Sequence, residues 1–275
     1  MISLNCKGKL LVIDRPVVMG IINTTPDSFY TGSRSGSIEN LLFRAEKMIS
    51  EGATFLDIGG QSTRPDSIRV SVEEELQRVI PAIEVIHKRF PEQIISIDTF
   101  YAKVATAAIE AGASLVNDVS GGTLDEAMWP AVAALAVPYV LMHMKGTPQT
   151  MQQMAVYENV TLEVFDELNK KIELLKRSGV KDIIVDPGFG FAKTAAHNFH
   201  LLRELEYFSH LQCPLMVGLS RKATVYKTLG VTPEEALNGT TVLHTIALMN
   251  GASILRVHDV KEAMQAIRLV SALQQ

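Results

Sequence analysis

Asp98, Asn117, Asp186 and Lys222 each stand where a short apolar run gives way to polar residues, and Arg256 and His258 flank the end of the last such run. Together these side chains offer the mixture of acceptors and donors that a flat, amide-bearing heterocycle requires, with asparagine supplying both kinds. Arg64, Arg256 and His258 add groups able to hold an anion, most naturally a phosphate or diphosphate. Asn23 closes another apolar run, "VVMGII", just before "TTPDSF". The set suggests a ligand made of a heterocycle carrying phosphate. A magnesium ion shared between Asn23 and a bound diphosphate is compatible with these donors. A binuclear hydrolase centre is not, since His-x-His is missing after the first run, where the chain reads "NTT".

For any one of these positions a blander reading competes, because Asp and Asn after a strand commonly cap the next helix or form a turn. Capping does not call for Arg, Lys and His at the same ends. The recurrence therefore favours a shared site, provided the fold brings the ends together.

Eight apolar runs can be read along the chain: "VVMGII", "TFLDIG", "IISID", "SLVND", "PYVLMH", "DIIVD", "PLMVG" and "SILRV". Longer segments of helical character separate them, including "SIENLLFRAEKMISEG" and "TLEVFDELNKKIELLKRSG", and Gly52, Gly112, Gly179 and Gly251 sit where helix C-caps belong. Continuous rather than alternating hydrophobicity marks strands buried on both faces of a parallel sheet. Eight such units without a linker predict an α/β fold of the (β/α)8 TIM-barrel type, one domain over 1–275, with "ISLNCKGKLLVI" as an N-terminal hairpin closing the barrel bottom. In that fold the strand ends converge at the C-terminal face. The segments 24–37 and 61–71, rich in Gly, Ser, Thr and Pro, are expected to be loops that move until a ligand anchors them.

Composition narrows the function classes. With 275 residues, 47% hydrophobic, a net charge of -4 and no Lys/Arg run, the chain has little electrostatic footprint for nucleic acid or an anionic membrane. Two cysteines, Cys6 and Cys213, make no disulfide framework and no zinc spacing, so a reduced, cytoplasmic protein is expected. The most membrane-like stretch, "AMWPAVAALAVPYVLM", is broken by two prolines and reads as helix, turn and buried strand. The Met-rich "MHMKGTPQTMQQM" reads as barrel packing followed by an exposed loop, and Glu73–Glu75 as an acidic first helical turn.

The motifs "MGIINTTPDSF", "LDIGGQSTRP", "SIDTF", "LVNDVSGG", "LMHMKGTPQTMQ", "VDPGFGFAKTAAHN", "VGLSRK" and "RVHDV" follow one another in the order found in the dihydropteroate synthase family, which the chain resembles from Val18 to Val260. The resemblance implies a transferase of folate biosynthesis, a sulfonamide target, that joins 6-hydroxymethyl-7,8-dihydropterin diphosphate to 4-aminobenzoate with release of diphosphate. Carried over position by position, it implies pterin binding by Asp98, Asn117, Asp186 and Lys222, with Arg256 stacked on the ring. Asp186, Lys222 and Arg256 would be the catalytic set. Asn23, Arg64 and His258 would hold the diphosphate, with Asn23 also reaching Mg²⁺. Thr63, Pro65, Phe191 and Ser220 would shape the 4-aminobenzoate site.

Several positions depart from the family pattern: Thr31 for an acidic residue, Gln61 for Glu, Asp66 within "PDS" for "PGA", Ala192 for Gly, and Ala223 for Ser. They are read as tuning. Two other functions share part of this pattern. The pterin-binding module of a corrinoid-dependent methyltransferase should lack both "STRP" and "SRK", and a non-catalytic paralogue should have lost one of Arg64, Asp186, Lys222 or Arg256. The late helical segments, 234–250 and 261–273, are expected to offer an apolar face for a homodimer.

Overall fold

The computed structural model describes residues 2–24, 34–61 and 69–274. Thr31, Thr63, Arg64, Pro65 and Asp66, and most of the two loops expected to move, lie outside the described residues.

Strands β1 (Ile2–Cys6) and β2 (Lys9–Ile13) form an antiparallel hairpin, and β3 (Val17–Asn23) opens the main sheet. The chain then alternates α1 (Arg34–Ser50), β4 (Phe55–Gly59), α2 (Val72–Arg89), β5 (Ile94–Asp98), α3 (Ala102–Ala111), β6 (Leu115–Asp118), α4 (Met128–Leu135) and β7 (Tyr139–Met142). It continues with α5 (Val160–Arg177), β8 (Ile183–Asp186), α6 (Ala195–Arg203), a 3₁₀ segment Leu205–Leu211, β9 (Met216–Val217), α7 (Ala223–Leu229), α8 (Leu237–Met249), β10 (Ile254–Val257) and α9 (Val260–Leu273). The parallel sheet runs β8-β7-β6-β5-β4-β3-β10-β9, and a parallel bridge between Val185 and Leu215 joins its two edges. The sheet is thus a closed eight-stranded barrel, as the alternation of apolar runs and helices predicts. Two boundaries differ from expectation. Helix α1 begins at Arg34, inside the segment expected to be loop, and α8 begins at Leu237 rather than 234.

Because side chains alternate across a strand, each barrel strand contributes every second residue to the interior. The lowest interior tier is apolar: Met19, Phe55, Ile94, Leu115, Val140, Ile184, Met216 and Ile254 pack with Leu4, Cys6 and Ile13 of the hairpin. The hairpin therefore plugs the barrel bottom, and burial there pushes the Cys6 thiol up to about 12. Two residues further along the strands the tier turns polar, with Asp57, Ser96, Asn117, Asp186 and Arg256. Two residues further again come Asn23, Gly59, Asp98, Ser220 and His258. Outside the sheet, the helices bury the second strand face in the larger core that includes Val18, Leu56, Ile95, Val116, Leu141 and Val185.

Helix starts follow local chemistry. Ser71 caps α2 by accepting from Glu74 N, Asn159 caps α5 through Thr161 N and Leu162 N, and Thr194 opens α6 with a capping box to His197. The membrane-like stretch resolves into α4, a left-handed Ala136 and β7, and among the described residues no helix is long and apolar enough to cross a membrane.

Candidate active site

The C-terminal mouth of the barrel holds a buried ionic network. Arg256, on β10, donates through Nε to Asp57 Oδ2 at 2.6 Å and through an Nη to Asp98 Oδ2 at 2.5 Å. Asn117 Nδ2 donates to the same Asp57 oxygen at 3.0 Å. Asp57 is fully buried, and its Oδ1 has no hydrogen-bond partner among the described residues. Register explains how these residues meet: Gly59 lies opposite Asn23 on one side and Asp98 on the other, and Asp98 lies opposite Asn117. A Cβ at Gly59 would sit 3.5 Å from Asp98 Cβ and 3.8 Å from Asn23 Oδ1, so glycine keeps the space between these two polar groups open. Burial pushes the Asp98 carboxyl up to about 7 against the pull of Arg256, with Asp57 and Glu75 pushing further in the same direction. For Arg256, burial opposes the charge, but Asp57 and Asp98 more than offset it and hold the guanidinium firmly protonated.

On the opposite arc stand Asp186 and Lys222. Asp186, at the end of β8, accepts the Gly188 N–H at 2.7 Å, the turn that launches "PGFGF". Its carboxyl is raised by burial, while Lys222, the Gly188 N–H, Arg256 and Lys193 all pull it back down. Lys222 donates to Phe189 O at 2.5 Å and lies 4.7 Å above the Phe191 ring. Burial lowers its ammonium to about 8, with Asp186 opposing the fall. Phe191 joins Phe100, Val119, Met142, Met144 and Met151 in an apolar wall on this side. The Met-rich segment is thus packing around Met142, Met144 and Met151, with Met154 exposed.

At the rim, Ser220 Oγ lies 3.0 Å from His258 Nδ1 and also accepts the His258 N–H at 3.2 Å. The structure therefore ties Ser220 to one of the expected anion-binding residues. Arg221, between Ser220 and Lys222, has φ 53 and forms a paired contact with Asp259 at 2.8 and 2.9 Å. This salt bridge fixes the turn from which Lys222 projects. A recess of about 520 Å³ beside His258 is lined by Arg44, Lys47 and Lys261 but also by Glu51, Asp259 and Glu262, so its charges nearly cancel.

Not every strand-end residue joins the ring. Asp118, next to the inward Asn117, turns to the outer face, where Ser120, the Gly122 N–H and Tyr139 Oη satisfy it. His143 points to Glu167 on α5. Asp57, which the sequence places with the residues just past the strands, sits instead at the centre of β4, and its pairing with Arg256 is not part of that reading. A signal for it existed. Asp57 and Arg256 are opposite charges interrupting two strands whose other residues are almost all apolar, and a buried charge needs a partner. Glu75 was also missed. It lies in the acidic first turn of α2 but is fully buried, with its carboxyl pushed to about 7 by burial against hydrogen bonds from Thr99 and Gln61.

A closed parallel barrel with acidic, amide and cationic side chains around its C-terminal mouth defines a barrel enzyme that takes a polar, planar ligand there. The chain belongs to the family of pterin binding enzymes, whose profile matches residues 19–258. It is 43% identical to the dihydropteroate synthase of Escherichia coli K12 over 98% of this chain and 96% of that protein. Among solved structures it is similar to Xanthomonas albilineans dihydropteroate synthase with 4-aminobenzoic acid, at TM-score 0.91 and 40% identity over 99% and 98% of the two chains. It is also similar to that enzyme in complex with 7,8-dihydropteroate, at TM-score 0.88, 38% identity and the same coverage. The family membership read from the eight motifs is borne out.

Proposed function

We infer that this chain catalyses the dihydropteroate synthase reaction: 6-hydroxymethyl-7,8-dihydropterin diphosphate and 4-aminobenzoate give 7,8-dihydropteroate and diphosphate. The observation that carries the reading is the mouth of the barrel, where Asp98, Asn117, Asp186, Lys222 and Arg256, all matching the family motifs, converge from five strand ends or the turns just beyond them. Near full-length identity to dihydropteroate synthases supports it.

The residues divide the work as follows. Asp186, Asn117 and Asp98 hold the pterin's amide and guanidine-like edges, and Lys222 leaves Phe189 O to donate to the ring. Arg256, braced by Asp57 and Asp98, presents its guanidinium face to the heterocycle. The bond from the pterin methylene to the diphosphate oxygen breaks, and its electron pair leaves with diphosphate. Electron release from the dihydropterin ring stabilises the cationic methylene, and the negative Asp186 favours that cation. The amine of 4-aminobenzoate then forms the new C–N bond and loses its proton. Asn23, Arg64 and His258 hold the diphosphate, while Thr63, Pro65, Phe191 and Ser220 shape the 4-aminobenzoate site, Ser220 also orienting His258.

The donor set fits magnesium. Among the described residues no three His, Cys, Asp or Glu side chains could hold a metal ion, yet the Asn23 amide oxygen stands at the mouth. One protein oxygen is suitable for an ion that keeps several waters and takes the rest of its ligands from phosphates. Bound there with the diphosphate, Mg²⁺ would neutralise charge developing on the leaving group.

The working form is a cytoplasmic homodimer acting on small molecules, without nucleic acid or membrane partners. Exposed Val242, Ile246 and Met249 form one stripe along α8, and Leu269 and Leu273 are exposed on the adjoining α9. The test is incubation of purified protein with both substrates and Mg²⁺, with and without EDTA, following diphosphate and dihydropteroate together. Formation of both products with Mg²⁺, and a large loss with EDTA, is expected. Absence of both products rejects the reaction, whereas full activity in EDTA rejects only the metal.

A further inference from the structure

Lys193 is an interior lysine outside the set that holds the pterin, the diphosphate and 4-aminobenzoate. It is 3% exposed, and three acceptors converge on its Nζ: His143 Nδ1 at 3.0 Å, Gly188 O at 3.1 Å and Phe191 O at 3.0 Å. An ammonium has three protons and no acceptor, so this arrangement suits the charged form and makes His143 Nδ1 the acceptor. The imidazole hydrogen then lies on Nε2, which is 3.2 Å from Glu167 Oε2 but not aligned as a hydrogen bond. Burial lowers His143 to about 4, with Lys193 adding to the fall, so the ring stays neutral.

The position of this lysine is unusual. The turn after β8 is held by two lysines at different carbonyls: Lys222 takes Phe189 O, and Lys193 takes Gly188 O and Phe191 O. The same turn supplies the Gly188 N–H that fixes Asp186 and the Phe191 ring under Lys222. No side chain can be added at Gly188, because a Cβ would lie 2.0 Å from His143 O and 3.4 Å from Lys193 Nζ. The lysine, the histidine and the turn are packed as one unit. When Lys222 turns to a substrate, its bond to the turn and part of its charge near Asp186 are withdrawn.

We propose that Lys193 is a positioning residue for the condensation: it keeps the Gly188–Phe191 turn in place and the Asp186 carboxylate ionised while Lys222 engages the pterin. The proposal rests on the dihydropteroate synthase reading of the site. The charged groups bearing on Asp186 are Lys222, Arg256 and Lys193. Those bearing on Lys193 are Asp186, Lys222, Glu167 and Lys145, with Lys171 of α5 acting on the adjoining His143. Burial, with Lys222 and Lys145 adding to it, lowers the Lys193 ammonium to about 7 against the pull of Asp186 and Glu167, the charges that favour its proton.

The pH profile of kcat distinguishes positioning through charge from mere packing. In Lys193→Met the acid limb of kcat is expected to move up by about one pH unit, since a nearby cation depresses a carboxyl by one to three. Repeated in an Asp186→Asn background, the same substitution should leave the limb where it is. A reduced kcat with an unmoved limb, or an equal movement in both backgrounds, overturns the proposal. Should Lys193→Met fail to fold by circular dichroism, Glu167→Gln decides the matter. Its side chain is 40% exposed, and loss of its charge should bring the alkaline limb to lower pH. An unchanged alkaline limb in Glu167→Gln overturns the proposal as well. Absence of turnover in the unmutated protein would instead count against the reaction assignment.

Discussion

The two arcs of the barrel mouth are both ionic, yet they are built on different rules. On the β4-β5-β6-β10 arc, charges meet charges: Arg256 lies between Asp57 and Asp98, and Asn117 donates to the same Asp57 oxygen as Arg256. On the β8-β9 arc, the cations meet backbone: Lys222 and Lys193 donate to carbonyls of one turn, and Asp186 is the anion that acts most on both. A buried ion pair loses several kcal/mol if one partner is removed, whereas a bond to a carbonyl can be exchanged for a ligand at little net cost. The first arc is therefore a scaffold that presents a fixed surface. The second can hand over a donor during the reaction.

The sharpest test of that contrast is Arg256→Leu. It leaves Asp57 and Asp98 facing each other without their cation, so a loss of about 3–5 kcal/mol of stability is expected together with loss of turnover. Urea unfolding measures the first and the product assay the second. Retained stability would mean that the network is not the scaffold it is taken to be.

On the other arc, Asp186→Asn is expected to lower kcat by roughly a hundredfold or more while leaving diphosphate affinity within about a factor of two, because the missing charge acts on the developing cation. Calorimetric titration of diphosphate alongside steady-state kinetics separates these. Equal losses in both quantities would erase the assigned division between the two ends of the substrate.

A pH profile refines the same arc. Lys222 donates only while charged, and burial lowers it to about 8. A lysine is protonated below its pKa, so kcat/KM for the pterin substrate should fall as pH rises through about 8. On the scaffold arc Asp98, raised to about 7, loses its proton as pH rises and strengthens its pairing with Arg256. The product of these opposing ionisations is a maximum between about 7 and 8. A profile flat to pH 10 would show that Lys222 is held charged by more than Asp186.

How much of this could be read in advance depended on periodicity. Strands buried on both faces write themselves as apolar runs, so the eight barrel strands and their closing hairpin were legible. Residues at the strand ends are legible as a ring, but their position in the chain alone does not say which of two neighbours faces inward: Asn117 enters the site and Asp118 leaves it, as alternation along a strand requires. Counting in steps of two from Met19, Phe55 and Ile254 reaches Ile21 and Asn23, Asp57 and Gly59, and Arg256 and His258. That count would have separated the two classes. Lys193 and Glu75 carried no such signal, because a lysine in a loop and a glutamate in a first helical turn are ordinarily solvated. Only the turn after β8 and the packing of α2 bury them.

The smallest expected effect concerns that same turn. Ala192 adopts φ 49 and is fully buried beside Phe191. A left-handed conformation costs a non-glycine residue about 1–2 kcal/mol, and glycine gives back about 0.5–1 kcal/mol of that through its larger unfolded-state entropy. Ala192→Gly should thus stabilise the protein by about 0.5–1 kcal/mol. The Ala192 carbonyl receives Tyr157 Oη at 3.0 Å, and the substitution leaves that bond in place. Since the turn is fixed by Lys193 and Lys222 through the carbonyls of Gly188, Phe189 and Phe191, kcat should change less than twofold. Urea midpoints and steady-state kinetics check both parts. A large fall in kcat would show that the strained alanine, and not the two lysines, sets the position of Asp186.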